Sequence, residues 1–164
     1  MAIVFDFQKM KNLQGRLNGE NKIKIGILSD KTTRKPDPNG ALYSYDNAGI
    51  GYKHEFGKFS PELGIRMPVR SFLRMPLKLK FESVLESKRF YKQEMSKILF
   101  TKSDDLTFFK KIGETARWCV MEAFKTGGFG QWKPSAMQFK KNHQTLVETN
   151  QLQRSVTYKV EMKK

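Results

Sequence analysis

Cysteine and histidine are scarce in this chain, which contains one cysteine and two histidines among 164 residues. A single cysteine excludes an intramolecular disulfide framework and any zinc site built from several cysteines. We expect Cys119 to be a buried, inert thiol, because it lies in an apolar run with helical character. His54 and His143 are the only histidines available for general acid–base chemistry, and we expect both to be structural or solvent-facing.

Long apolar runs are also missing. No segment approaches the ~18–20 apolar residues that span a bilayer. Asp6 and Lys9 lie where a signal peptide requires an uninterrupted apolar stretch. We therefore expect a soluble protein of a reducing compartment with no membrane partner.

Acidic residues are half as frequent as basic ones, with 16 Asp and Glu against 31 Lys and Arg, which gives a formal net charge of +15. The excess lies in two blocks: residues 58–102 hold 11 basic and 4 acidic residues, and residues 123–164 hold 8 and 2. Residues 103–122 between them are nearly neutral, with 3 basic and 4 acidic residues. Such a charge favours a polyanionic or acidic partner.

Two sequence motifs of known enzymes begin in this chain, but each lacks a required residue. His54-Glu55 begins an HExxH zinc motif, but the second histidine is replaced by Lys58. Gly49-Ile50-Gly51 begins a dinucleotide-binding loop, but the third glycine is replaced by His54, and a mobile or tightly packed turn is the better interpretation. Adjacent Asp104 and Asp105 do not face each other on a helix. We expect no enzymatic activity and no cofactor.

Apolar and aromatic residues, including 13 Phe, are numerous enough to build one core, so we expect a single domain spanning residues 1–164. Alternating isoleucines predict a strand at 22–28, and alternation near the C-terminus predicts a second at 155–162 beside it. Helical spacing predicts helices at 5–17, 41–56, 77–100 with a break near Ser87, and 104–125 ended by Gly127-Gly128. Segments 29–40 and 127–145 are predicted as long mobile or interface loops. The predicted class is α+β, with a small, mostly antiparallel sheet packed against three or four helices.

Four basic residues recur every fourth position through the proline-rich connector: Arg66, Arg70, Arg74 and Lys78. Pro68 and Pro76 argue against a continuous helix there, but an even spacing also places residues on one side of an extended chain. The pattern predicts a one-sided basic row. It suits a phosphate, an acidic partner or solvent, and the residues alone leave these alternatives open.

Several short motifs, taken in order, resemble those of tailed-phage tail-completion, neck or minor tail proteins. They are YKHEFG, IRMPVRSFLR, a helix containing IGETARWCVMEAF, QWKPSAMQFKK and the terminal LVETNQLQRSVTYKV. The matching positions are Glu55 and Gly57, then Pro68, Arg70, Phe72 and Leu73, then Trp132 and Pro134, and finally Thr149, Leu152, Ser155 and Val156.

Two positions depart from the family pattern. Asn150 stands where a glycine usually follows Thr149, and asparagine tolerates the left-handed backbone conformation that such a glycine adopts. Ser71 stands where many relatives have proline. Phe72, Leu73 and Trp132 are expected to be anchors or core, and for Phe72 we favour the core.

The resemblance implies a structural virion protein that completes or joins the tail at the head-to-tail interface, as part of a homo-oligomeric ring assembled in the host cytoplasm. Its implied partners are the connector, the tail terminator or the tail tube, with transient contact to DNA in the lumen. The alternative, from the charge alone, is a basic nucleic-acid-binding module. No RNP motif, GxxG loop or recognition helix accompanies the charge.

Overall fold

We describe the fold from a computed structural model, for residues 21–33, 35, 46–60, 65–100, 105–133 and 150–162. The predicted helix at 5–17 lies outside the described residues, as do Pro134, Thr149 and His143. The described part is α+β, as predicted, with two small antiparallel sheets and several helices.

The two predicted strands form the main sheet. Strand β1 (Lys22–Ile27) pairs antiparallel with strand β4 (Val156–Glu161), so that Ile25 lies opposite Tyr158. Because side chains alternate across a strand, the isoleucines of β1 and their partners on β4 share one face. That face is directed toward helix α5 (Asp105–Lys125), which packs against both strands. A second two-stranded antiparallel sheet, of β2 (Lys58–Ser60) with β3 (Ile65–Met67), lies within the connector.

Helix α1 (Asn47–Phe56) begins later than the predicted position 41. Asp46 has an extended backbone, and its side chain accepts a hydrogen bond of 2.7 Å from the backbone N–H of Gly49, which makes it the N-cap. Gly57 ends the helix at φ +71°, as predicted. Gly51 is helical rather than part of a turn, and a Cβ added there would lie 2.8 Å from Ile27.

A composite helix spans residues 74–87, and it begins three residues before the predicted start. It consists of α2 (Arg74–Pro76), a π-helical turn (Leu77–Phe81) and α3 (Glu82–Ser87). Pro76 is tolerated because it lies in the first turn, where a missing N–H breaks no helical bond. Lys88 has an extended backbone, so α4 (Arg89–Phe100) starts afresh, which confirms the break predicted near Ser87.

The end of the chain departs from prediction by a few residues. Residues 151–155 form a short helix, α6 (Gln151–Ser155), so the closing strand starts at Val156 and Ser155 is helical. Asn150 precedes it at φ +57°, which confirms the left-handed conformation expected at this position. In the predicted loop at 29–40, residues Ser29–Lys31 form a 3-10 turn.

The hydrophobic core gathers between α5, the composite helix and β4. Phe72 is 1% exposed, and its ring lies 5.4 Å from that of Phe124, which in turn lies 5.6 Å from the indole of Trp132. Phe72 is therefore a core residue, as favoured from the sequence, and Cys119 is fully buried with its pKa raised by burial. The core cluster comprises Phe72, Val120, Ala123, Phe124, Trp132, Leu152 and Val156.

A left-handed turn follows α5. Gly127, Gly128, Phe129 and Gly130 all have φ between +55° and +78°. A left-handed backbone costs conformational free energy for every L-amino acid except glycine. Three of these four residues are glycine, which carries little penalty. The turn places Trp132 against Gly128 so closely that a Cβ added to Gly128 would lie 2.3 Å from the indole.

Two alanine substitutions in this turn distinguish the cost of a left-handed backbone from the cost of steric overlap with Trp132. Gly128→Ala and Gly130→Ala impose a similar left-handed backbone cost of roughly 1–2 kcal/mol. Gly128→Ala also collides with Trp132, which adds about 1–3 kcal/mol of overpacking, whereas a Cβ at Gly130 meets nothing within 4 Å. Urea unfolding should therefore rank Gly128→Ala as the less stable variant, and equal stability would contradict the packing described.

Candidate functional site

One buried carboxylate organises the motif residues. Glu55, in the last turn of α1, is 4% exposed and points at the segment that starts the composite helix. Its Oε1 accepts hydrogen bonds from the Ser71 hydroxyl at 2.6 Å, the Arg74 N–H at 3.1 Å and the Arg74 Nε at 3.0 Å. Its Oε2 accepts from the backbone N–H groups of Phe72 at 2.8 Å and Leu73 at 3.0 Å. We call these five residues the Glu55 junction.

The Glu55 junction caps a helix from outside it. The first N–H groups of a helix have no partner within the helix, and a carboxylate placed there also meets the positive end of the helix dipole. Glu55 supplies this cap from a neighbouring helix, and Ser71 extends it by accepting the N–H of Met75 at 3.0 Å. The junction thereby joins α1 rigidly to the composite helix.

The charge state of Glu55 follows from its contacts. Burial alone would raise the pKa of this carboxyl, but the hydrogen bonds from Ser71, from the Leu73 and Arg74 N–H groups and from the Arg74 side chain outweigh burial and lower the pKa below its usual 4.5. Its oxygens are already occupied by five donors. The arrangement suits a structural carboxylate and not a proton carrier or a metal ligand.

The lowered pKa predicts an acid-dependent loss of stability. Ionised Glu55 stabilises the folded chain at pH values above the carboxyl's ordinary pKa, and this contribution is lost as the pH falls through the lower pKa of the folded state. Glu55→Gln removes the titrating group. The difference in unfolding free energy between wild type and Glu55→Gln should therefore shrink as urea titrations move from neutral pH to below about pH 4. A constant difference would contradict a lowered pKa.

Two further motif residues fasten the same segment to the loop after α5. The Arg70 side chain is buried, and its Nε donates to the carbonyl of Lys133 at 2.9 Å. The Arg70 N–H donates to the carbonyl of His54 at 2.7 Å. Trp132 donates through Nε1 to the carbonyl of Ser71 at 3.3 Å. The connector is thus bonded on one side to α1 and on the other to residues 132–133.

The structure brings most of the matching motif positions together. Leu152 reaches the same region, since a Cβ added to Gly51 would lie 3.2 Å from Phe72 and 3.5 Å from Leu152. Ser155 is buried and donates from its hydroxyl to the Leu152 carbonyl at 2.6 Å. The gathered positions are Glu55, Arg70, Phe72, Leu73, Trp132, Leu152, Ser155 and Val156, with Gly57 at the end of α1 and Pro68 on the connector leading into them.

The predicted one-sided basic row is wrong. Arg66 lies in strand β3, Arg70 is buried in irregular backbone, and Arg74 and Lys78 lie on the composite helix. A four-residue period places side chains on one side only where the backbone conformation stays the same. Within this row the backbone changes from strand to irregular structure and then to helix. Arg74 pairs with Glu55, and Lys78 is exposed.

Sequence reasoning missed Ser71 and an exposed aromatic pair. Ser71 departs from the proline of the resemblance, and its hydroxyl links Glu55 to the helix start. Tyr52 and Phe56, one turn apart on α1, are 65% and 48% exposed, with ring centroids 4.7 Å apart. The i,i+4 spacing of these two aromatics in the sequence predicts a helix but does not indicate that this face is exposed.

Among the described residues, no group of three His, Cys, Asp or Glu side chains could hold a metal ion. None of the helices in the described ranges is long and apolar enough to cross a membrane. Comparison with known proteins finds no matching family model, curated protein or solved structure.

Proposed function

We propose that this chain is a non-enzymatic structural protein of a tailed-phage virion, which completes or joins the tail at the neck as one subunit of a homo-oligomeric ring. Its neighbours would be the connector, the tail terminator or the tail tube. Assembly would take place in the host cytoplasm, and the ring lumen would give transient contact with DNA.

The observation that supports this proposal is the convergence of the motif positions on the Glu55 junction. The motifs are widely separated in sequence, and Glu55, Phe72, Trp132 and Leu152 nevertheless meet in one buried cluster. Packing in one cluster is what motifs that act together in one structural unit require. Their shared location indicates that they specify one structural unit.

Native mass spectrometry and negative-stain microscopy of the purified protein, alone and mixed with isolated phage tails, test the proposal. We expect closed rings of one copy number, formed by the protein alone or on the tail end. A protein that stays monomeric in both settings and does not bind tails contradicts it.

The charge supports one alternative, a nucleic-acid-binding module. Six basic residues between positions 78 and 97 are exposed, namely Lys78, Lys80, Lys88, Arg89, Lys92 and Lys97. Phosphate contacts release counterions, so this alternative predicts binding to DNA fragments with a steep salt dependence. Gel shifts over a salt series separate the two: the ring proposal predicts weak or no binding at physiological salt.

A further inference from the structure

The exposed end of α1 carries a preformed aromatic and cationic surface, which we call the Tyr52 patch and define as Tyr52, Phe56, Val69 and Arg74. Tyr52 and Val69 are 65% and 57% exposed, and the Arg74 side chain is 64% exposed. The Arg70 N–H bonded to the His54 carbonyl holds neighbouring Val69 beside the last turn of α1. Tyrosine, phenylalanine and arginine are the residues that concentrate binding energy at protein interfaces.

Arg74 is held in place before any partner arrives. Its guanidinium lies 4.3 Å from the centre of the Phe56 ring, and its Nε donates to buried Glu55 at 3.0 Å. Its Nη2 donates to the Glu55 carbonyl at 3.4 Å, while Nη1 makes no hydrogen bond to any described residue. A fixed guanidinium loses little freedom on binding, and it still presents donors to a carboxylate.

Among the described residues, the exposed charged side chains at the patch are basic. Glu55 is the only acidic residue of α1, and it is buried and occupied by its five donors. Exposed Lys78, four residues after Arg74 on the composite helix, adds further positive charge. An acidic segment of another protein is attracted to this charge, whereas the same patch on a second copy, placed face to face with it, would be repelled.

We propose that the Tyr52 patch docks a segment of another protein in which an apolar side chain lies next to an aspartate or glutamate. The apolar side chain packs on Tyr52, Phe56 and Val69, and the carboxylate accepts hydrogen bonds from Arg74. This inference does not depend on the virion role, because it rests on the patch alone.

Selection from a random dodecapeptide display library against the full-length protein tests this proposal. We expect the selected peptides to combine an apolar residue with an adjacent Asp or Glu. Tyr52→Ser with Phe56→Ser should weaken their binding at least tenfold. The matched control, Leu79→Ser with Trp118→Ser, removes two exposed apolar residues elsewhere and should leave binding unchanged.

The carboxylate is tested on the peptide, so that Arg74 and the Glu55 junction stay intact. Peptides synthesised with Asn or Gln in place of Asp or Glu should bind at least tenfold more weakly than the selected ones. Equal binding of the amide peptides, or peptides that bind the double serine variant as well as wild type, overturns the proposal. Self-association of the wild type that the Tyr52 and Phe56 changes abolish would make a second copy the occupant and would also overturn it. Ring formation on tails has a separate readout, so either proposal can fail alone.

Discussion

Replacing Glu55 with alanine is expected to lower the free energy of unfolding by roughly 3–5 kcal/mol, because a buried group with several charge-assisted hydrogen bonds is removed. The substitution leaves the N–H groups of Phe72, Leu73 and Arg74 without their acceptor at the start of the composite helix. Urea unfolding followed by circular dichroism measures this change. A loss of this size is a large fraction of the ~5–15 kcal/mol that stabilises a typical domain.

Glu86→Ala is the matched control for this prediction. Glu86 lies on the same composite helix that Glu55 caps, is exposed, and should change stability by no more than about 0.5 kcal/mol. Similar losses for the two variants would contradict the assignment of Glu55 as the cap of the composite helix.

Phe72→Ala is the second substitution that we expect to lower the free energy of unfolding strongly. Phe72 is 1% exposed and contacts the Phe124 ring, so alanine leaves a cavity between α5 and the connector. Truncating a buried phenylalanine costs about 3–5 kcal/mol. Trp132 packs on Phe124 in the same cluster, so its fluorescence should also report the rearrangement in the folded variant.

Val69→Ala serves as the comparison for Phe72→Ala. Val69 lies three residues earlier on the same connector and is 57% exposed, so its truncation should cost no more than about 0.5 kcal/mol. If Phe72→Ala were as mild as Val69→Ala, the core would not be centred where we describe it.

The sheet and the longest helix follow from the sequence because their patterns are regular. Ile23, Ile25 and Ile27 alternate with polar or small residues, and an apolar stripe at helical spacing runs through residues 106–124. Both patterns survive in the structure, because the buried face of each element is set by its own periodicity. The break near Ser87 and the cap at Gly57 also follow from local chemistry.

The Glu55 junction could not be predicted, because it depends on contacts between residues that are distant in the sequence. A glutamate near the end of a helix is ordinarily solvated, and its burial here depends on donors from residues 71–74, which lie beyond strands β2 and β3 in the chain. The same donors remove Arg74 from the predicted basic row. The left-handed turn after α5 could not be predicted for a different reason. Phe129 has a positive φ, a backbone conformation that non-glycine residues rarely adopt.

These contacts change how the net charge of +15 is interpreted. Arg70 is buried within the connector and Arg74 is bonded to Glu55, so two members of the most conspicuous basic row contribute to structure. Exposed positive charge also lies next to aromatic rings, with Arg74 over Phe56 and Lys88 over Trp118. This combination supports the proposal of an acidic protein partner.

Quantitative mass spectrometry of purified virions, from the phage that the proposal expects to encode this chain, tests the central proposal most directly. The account predicts that the protein is present in every particle at a small, fixed copy number relative to the connector, as a single ring at the neck requires. Absence of the protein from purified virions, or a copy number that varies from one preparation to the next, would contradict it.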